Sequence, residues 1–138
     1  MNIDIDRSLA GLGLRRALLD ALCEQRPSGI GFLELAPENW IGVGGKRAKA
    51  LHQLRERYPI YCHGLSLSIG GPEPLDTNYL KRLRSFLDHM DTSLYSDHLS
   101  FCSDDGQLYD LLPLPFTDEA IRHVATRVQQ VQDALQRR

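Results

Sequence analysis

The chain has 138 residues, 42% of them hydrophobic and 25% charged, and 16 Lys and Arg against 18 Asp and Glu leave a net charge of −2. That balance is ordinary for a soluble globular protein and provides no basic surface for a nucleic acid. No apolar run approaches the ~18 residues needed to cross a bilayer, so neither nucleic acid nor membrane is expected as a partner.

The N-terminal stretch Met1-Asn-Ile-Asp-Ile-Asp-Arg7 is acidic and lacks the apolar core of a signal peptide, so a cytoplasmic location is expected. Gly11-Leu-Gly-Leu14 reads as a short first strand. Arg16 to Gln25 carries Leu18, Leu19 and Leu22 at helical spacing before Pro27-Ser-Gly29 breaks it. Phe32-Leu-Glu-Leu35 is a second strand ended by Ala36-Pro37. After the loop Gly42 to Gly45, a second helix is predicted over Lys46 to Tyr58. Pro59 opens a third strand that runs to His63.

Leu65, Leu67 and Ile69 then alternate with Ser66 and Ser68, an extended pattern and not a helical one. Asp76 or Thr77 caps a third helix with apolar Leu80, Leu83, Phe86 and Leu87. Ser93 to His98 is a fourth strand, and Asp104-Asp-Gly106 a loop. After Pro113-Leu-Pro115, Thr117 or Asp118 caps a last helix reaching about Gln136. No hairpin is expected: strands alternate with helices, giving a parallel sheet with right-handed crossovers. Residues 1–138 read as a single partial domain of α/β class. Four βα units can form an open sandwich or half of a (β/α)₈ barrel, which typically needs ~250 residues.

Chemistry concentrates at strand ends, where sites of such folds are assembled. His63 and His98 each end a predicted strand, and two imidazoles on one rim could hold a metal ion. Alternatively they are structural or solvent-facing. Asp97 is a candidate to orient His98, although neighbours on a strand face opposite ways. Glu38 and Asn39, just past the second strand, are candidate ligands or substrate contacts, or simply a polar loop beside a packed Trp40. Gly44-Gly45 and Gly70-Gly71 lack phosphate-loop spacing and are assigned to backbone conformations with positive φ. Asp104 and Asp105 lack the calcium-loop pattern. His52, His89 and His123 read as solvated or packing residues. Cys23, Cys62 and Cys102 have no metal or redox spacing and read as small buried hydrophobes, Cys62 facing away from His63.

Five strings then occur in order: Gly11-Leu-Gly-Leu-Arg15, Phe32-Leu-Glu-Leu-Ala-Pro-Glu-Asn-Trp40, His63-Gly-Leu-Ser-Leu-Ser-Ile-Gly-Gly71, Ser96-Asp-His-Leu99 and Asp110-Leu-Leu-Pro-Leu-Pro115. Together they closely resemble the multinuclear non-heme iron-dependent oxidases, the family that includes the methanobactin-biosynthesis enzyme MbnB. The resemblance implies a TIM (β/α)₈ barrel of the xylose-isomerase-like type with two or three irons at its C-terminal rim. It implies O₂-dependent oxidation of a residue, often cysteine, in a ribosomally made precursor peptide, which a separate partner protein often presents. By the same match His63 and His98 fall on iron-binding histidines, in keeping with the affinity of imidazole for iron. Ser66 and Ser68, beside Gly70-Gly71, are placed along a peptide groove by position.

Family members are about twice as long, as a complete barrel requires. The chain is therefore expected to be the N-terminal half, with further ligands on later strands, inactive in isolation and open to self-association through its sheet edges. Two other classes would share these residues: another divalent-metal barrel enzyme, such as a sugar isomerase or hydrolase, and a metal-free module that binds a peptide or partner.

Overall fold

The computed structural model describes residues 10–25, 27–103 and 107–138. Its first sheet has four strands in the order β1 (Ala10–Gly13), β2 (Ile30–Leu35), β3 (Ile60–Gly64) and β4 (Tyr95–Asp97). The helices α1 (Leu19–Glu24), α2 (Gly45–Arg55) and α3 (Thr77–His89) alternate with them, and α4 (Asp118–Leu135) follows. The fold is thus α/β, with β1–β2 and β2–β3 paired in parallel, as the strand–helix alternation requires.

Two compact units form. Of the described residues, the first comprises those up to His63 with Phe86–Ser96, and the second those of Gly64–Ser85 with Asp97–Arg138. In the first, the register sets Leu33 opposite Ile60 and Leu35 opposite Cys62. Side chains alternate across a strand, so these four share one face, and all four are buried. Leu19, Leu22, Leu51, Leu54 and Trp40 complete that core, with α1 packed on α2. The other face carries Phe32 and exposed Glu34 from β2, and Tyr61 and half-buried His63 from β3. The Phe32 and Tyr61 rings meet there, with centroids 4.8 Å apart. Cys62 and His63 accordingly face opposite ways, as alternation predicts.

In the second unit, Leu80 and Leu83 of α3, Leu67, Ile69, Cys102, and Val131 and Leu135 of α4 are buried. Both long helices start on side-chain caps. Asp76 Oδ1 accepts from the backbone N–H of Asn78 (2.8 Å) and of Tyr79 (3.0 Å), and Thr117 Oγ1 accepts from Ala120 N–H (3.2 Å). Replacing Asp76 by Ala strands two amides at once. Urea unfolding of Asp76→Ala should show a loss of about 1 kcal/mol without a change in the slope.

The structure corrects two expectations. A hairpin is present after all: β5 (Phe101–Ser103) and β6 (Gln107–Leu112) pair antiparallel, with Phe101 opposite Leu112. The sequence does hold a turn signal, Asp105-Gly106, a pair suited to two-residue hairpin loops. The second correction concerns glycine. Gly45 takes φ +65°, but Gly44, at φ −119°, and Gly70 and Gly71 do not take positive φ. Gly70 is needed for space instead, because a Cβ there would collide with the Leu114 side chain. The acidic N-terminal stretch and the Asp104–Asp105 pair lie outside the described residues.

Candidate functional site

β3 ends in His63-Gly64, and β4 ends at Asp97, directly before His98. The two histidines therefore stand at the carboxyl ends of strands that are neighbours in the sheet order. In the first unit, His63 Nδ1 lies 2.8 Å from Ser96 Oγ, whose hydroxyl can serve either tautomer. In the second, His98 Nδ1 lies 3.2 Å from the Gly64 carbonyl. A carbonyl only accepts, so that bond places the proton on Nδ1.

Asp97 is engaged locally: its Oδ1 accepts from the His98 backbone N–H at 2.8 Å. Its contact with the next residue is thus to the main chain, which it holds as the strand ends. Glu38 sits in the short 3₁₀ turn Pro37–Asn39, with both carboxylate oxygens shielded from solvent. Asn39 is exposed, and its carbonyl accepts from Arg16 Nη2 at 2.6 Å. Trp40 is buried, in keeping with a packing role.

Ser66 and Ser68 differ. Ser66 is half-buried, whereas Ser68 is buried, takes a left-handed φ of +48°, and accepts the Cys102 backbone N–H on its Oγ at 3.0 Å. The remaining histidines also have specific neighbours. His52 and His89 stack with centroids 5.9 Å apart, His52 Nε2 lies 3.6 Å from Glu56, and His123 Nε2 donates to the Gly71 carbonyl at 2.9 Å.

Sequence reasoning missed Arg127. This residue of α4 is buried, and burial holds its guanidinium below the ordinary value for arginine. Nε donates to Ile69 O (2.7 Å), Nη1 to Glu73 O (2.7 Å) and Nη2 to Ser68 O (3.0 Å). The available signal was its place in the heptad-like stripe Val124, Arg127, Val131, Leu135, where a charge interrupts an otherwise apolar face.

Among the described residues no group of three or more His, Cys, Asp or Glu side chains is arranged to hold a metal ion. The imidazoles have the donor chemistry for iron, but this donor set alone is too small for a multinuclear centre, which needs bridging carboxylates. Among the described residues no helix is long and apolar enough to cross a membrane.

The described residues thus form an α/β fold in which a parallel four-strand sheet alternates with helices. Residues 9–138 match the family described as RiPP precursor modification enzyme MbnB/TglH/ChrH, and the chain belongs to that family. It is 60% identical over 127 residues to a UPF0276 protein of Shewanella loihica, covering 92% of this chain and 46% of that protein. It is 59% identical over 128 residues to a UPF0276 protein of Nitrosospira multiformis, covering 93% and 45%. A UPF0276 protein of Pseudomonas aeruginosa is 56% identical over 128 residues, again 93% and 45%. The chain thus spans about half the length of the curated relatives it matches.

Proposed function

We propose that this chain is the N-terminal half of a (β/α)₈-barrel oxidoreductase that modifies residues of ribosomally made precursor peptides, using iron and O₂, in the cytoplasm. The observation that carries this reading is the placement of His63 and His98 at the carboxyl ends of neighbouring sheet strands, in a chain of a precursor-modifying family. In the complete protein the two imidazoles would hold iron, and iron would supply the O₂-dependent oxidation of a peptide residue such as cysteine. Ser66 contacts the peptide, while Ser68 shapes the segment that carries it. Glu38 and Asn39 stand as further polar contacts after β2. The remaining ligands come from strands outside this chain, so the isolated chain is inactive.

An incomplete barrel is supported by the apolar side chains in water. Leu99 is 66% exposed, and Phe116 and Ile121 are likewise open to solvent. The same surfaces, with β1 and β4 as the outer strands of the sheet, favour self-association or pairing with a complementary half. In the complete protein a precursor peptide is the partner, with a separate protein presenting it.

Elemental analysis of anaerobically purified chain tests the reading, wild type against His63→Ala/His98→Ala. Bound iron in the wild type that is lost in the double variant is the expected result. No specific iron in the wild type, or equal iron in both, would overturn the assignment of these two ligands.

A further inference from the structure

In the second unit a groove of about 790 Å³ runs along α4, a volume within the range of protein ligand sites. Its two walls differ. One is α4 itself, which lines the groove from Glu119 to Ala134, about 22 Å at 1.5 Å of rise per residue. The other is formed by Pro72, Pro74 and Leu75, with Thr77 and Leu80 of α3, and is mostly apolar. Proline has no N–H, so this wall presents rings and aliphatic surface in place of donors. The donors come from α4, where Arg122, Thr126 and Gln130 recur every four residues and so share one face. The Thr126 hydroxyl is taken up by the Arg122 carbonyl at 3.0 Å. Among the described residues the Arg122 guanidinium and the Gln130 amide have no partner.

The charges along the groove do not balance. Arg127 lines it while only 7% exposed, and among the described residues no carboxylate pairs with it. Three carbonyls each take one N–H, one from each of its nitrogens, which leaves one N–H on each terminal nitrogen. Arg122 adds a second cation, and the one carboxylate in the lining is Glu119. Glu73 and Asp76 belong to the opposite stretch but do not line the groove, and Asp76 Oδ1 already caps α3. A buried cation without a counter-charge is unfavourable, and an anion entering from outside relieves it. We propose that this groove binds an extended acidic peptide segment, a carboxylate of which pairs with Arg122 beside Arg127 while its apolar side chains lie on the proline wall. Two features favour that occupant. A planar guanidinium matches a carboxylate in two parallel bonds. A groove of this length takes about six extended residues at ~3.3 Å each, whereas a compact anion would leave most of it empty. The proposal rests on the reading that a precursor peptide is the partner, and it gives that peptide a second contact that shares no residue with the His63 and His98 rim.

Fluorescence anisotropy of the intact chain tests it, with a labelled peptide of about eight residues rich in Glu with interspersed Leu, against the same peptide with Gln for Glu. Wild type should bind the Glu peptide about tenfold or more tightly than the Gln peptide. Arg122→Gln removes one charge-assisted pair and should weaken the Glu peptide about tenfold. Arg55→Gln removes the same charge from α2, outside the groove, and should change nothing. Gln130→Trp fills the groove from an exposed position and should also weaken the Glu peptide. Equal affinity for the two peptides, equal losses in Arg122→Gln and Arg55→Gln, or full binding by Gln130→Trp would overturn the proposal. Displacement of the peptide by an equimolar amount of inorganic phosphate would overturn it too, because the site would then be one for compact anions. No metal enters the measurement, so its failure leaves the iron result standing, and the reverse also holds.

Discussion

Leu33→Ala is expected to lower the unfolding free energy by about 3 kcal/mol, read as a shifted midpoint in urea with an unchanged slope. Leu33 has 0% exposure and lies on β2, with strands on either side, opposite Leu12 on one and Ile60 on the other. Its removal takes away the transfer free energy of the side chain and leaves a cavity. The walls of that cavity belong to two paired strands and cannot close in without breaking register. Leu111→Ala provides the contrast. Leu111 is 40% exposed in the hairpin, and its loss should cost less than about 0.5 kcal/mol. If both variants unfold at the same midpoint, the sheet is not the seat of stability.

Arg127→Met should be of similar size, about 3 kcal/mol, for a different reason. Methionine fills much of the volume of the arginine stem, so little packing is lost. What disappears is a donor to three carbonyls, of which only Ser68 O keeps another, the Gly71 N–H at 2.8 Å, and hydrogen bonds to a charged group are worth about 1.5–3 kcal/mol each. The release from desolvating a cation offsets part of that loss. Arg127→Lys should recover only a fraction, since an ammonium is a point charge and cannot reach all three acceptors. Parallel urea curves for the two variants measure the difference. A lysine variant as stable as wild type would show that charge alone suffices.

Much of the fold was legible because it is local. Asp76 and Thr117 announce helix starts through their own side chains, and both cap as read. Two-residue alternation told Cys62 from His63, because which face a strand residue occupies follows from its neighbours. The site was legible only in part. The sequence pointed to His63 and His98, but what holds each ring, Ser96 in one case and the Gly64 carbonyl in the other, depends on strands coming together. Ser68 read as one of two serines along a peptide groove, whereas it is buried and its Oγ accepts the Cys102 backbone N–H. Arg127 and His123 looked like ordinary helix residues, and only their long-range partners in the 68–73 segment give them a task. The hairpin was missed for another reason. Asp105-Gly106 carried the signal, but a strand–helix rhythm read along the whole chain outweighed two residues.

The parallel register has a consequence for how the chain reaches this state. Leu12 pairs beside Leu33, and Leu33 beside Ile60, so each rung waits for a whole intervening helix to be placed before it can form. Such connections slow folding, because the entropy of closing the loop is lost before any contact returns it. During synthesis β2 leaves the ribosome well ahead of β3, with Leu33 and Leu35 exposed and one edge unpaired. The nascent chain therefore passes through an interval in which its stickiest strand is bare, and shielding by a chaperone at that moment would govern how much protein a cell recovers.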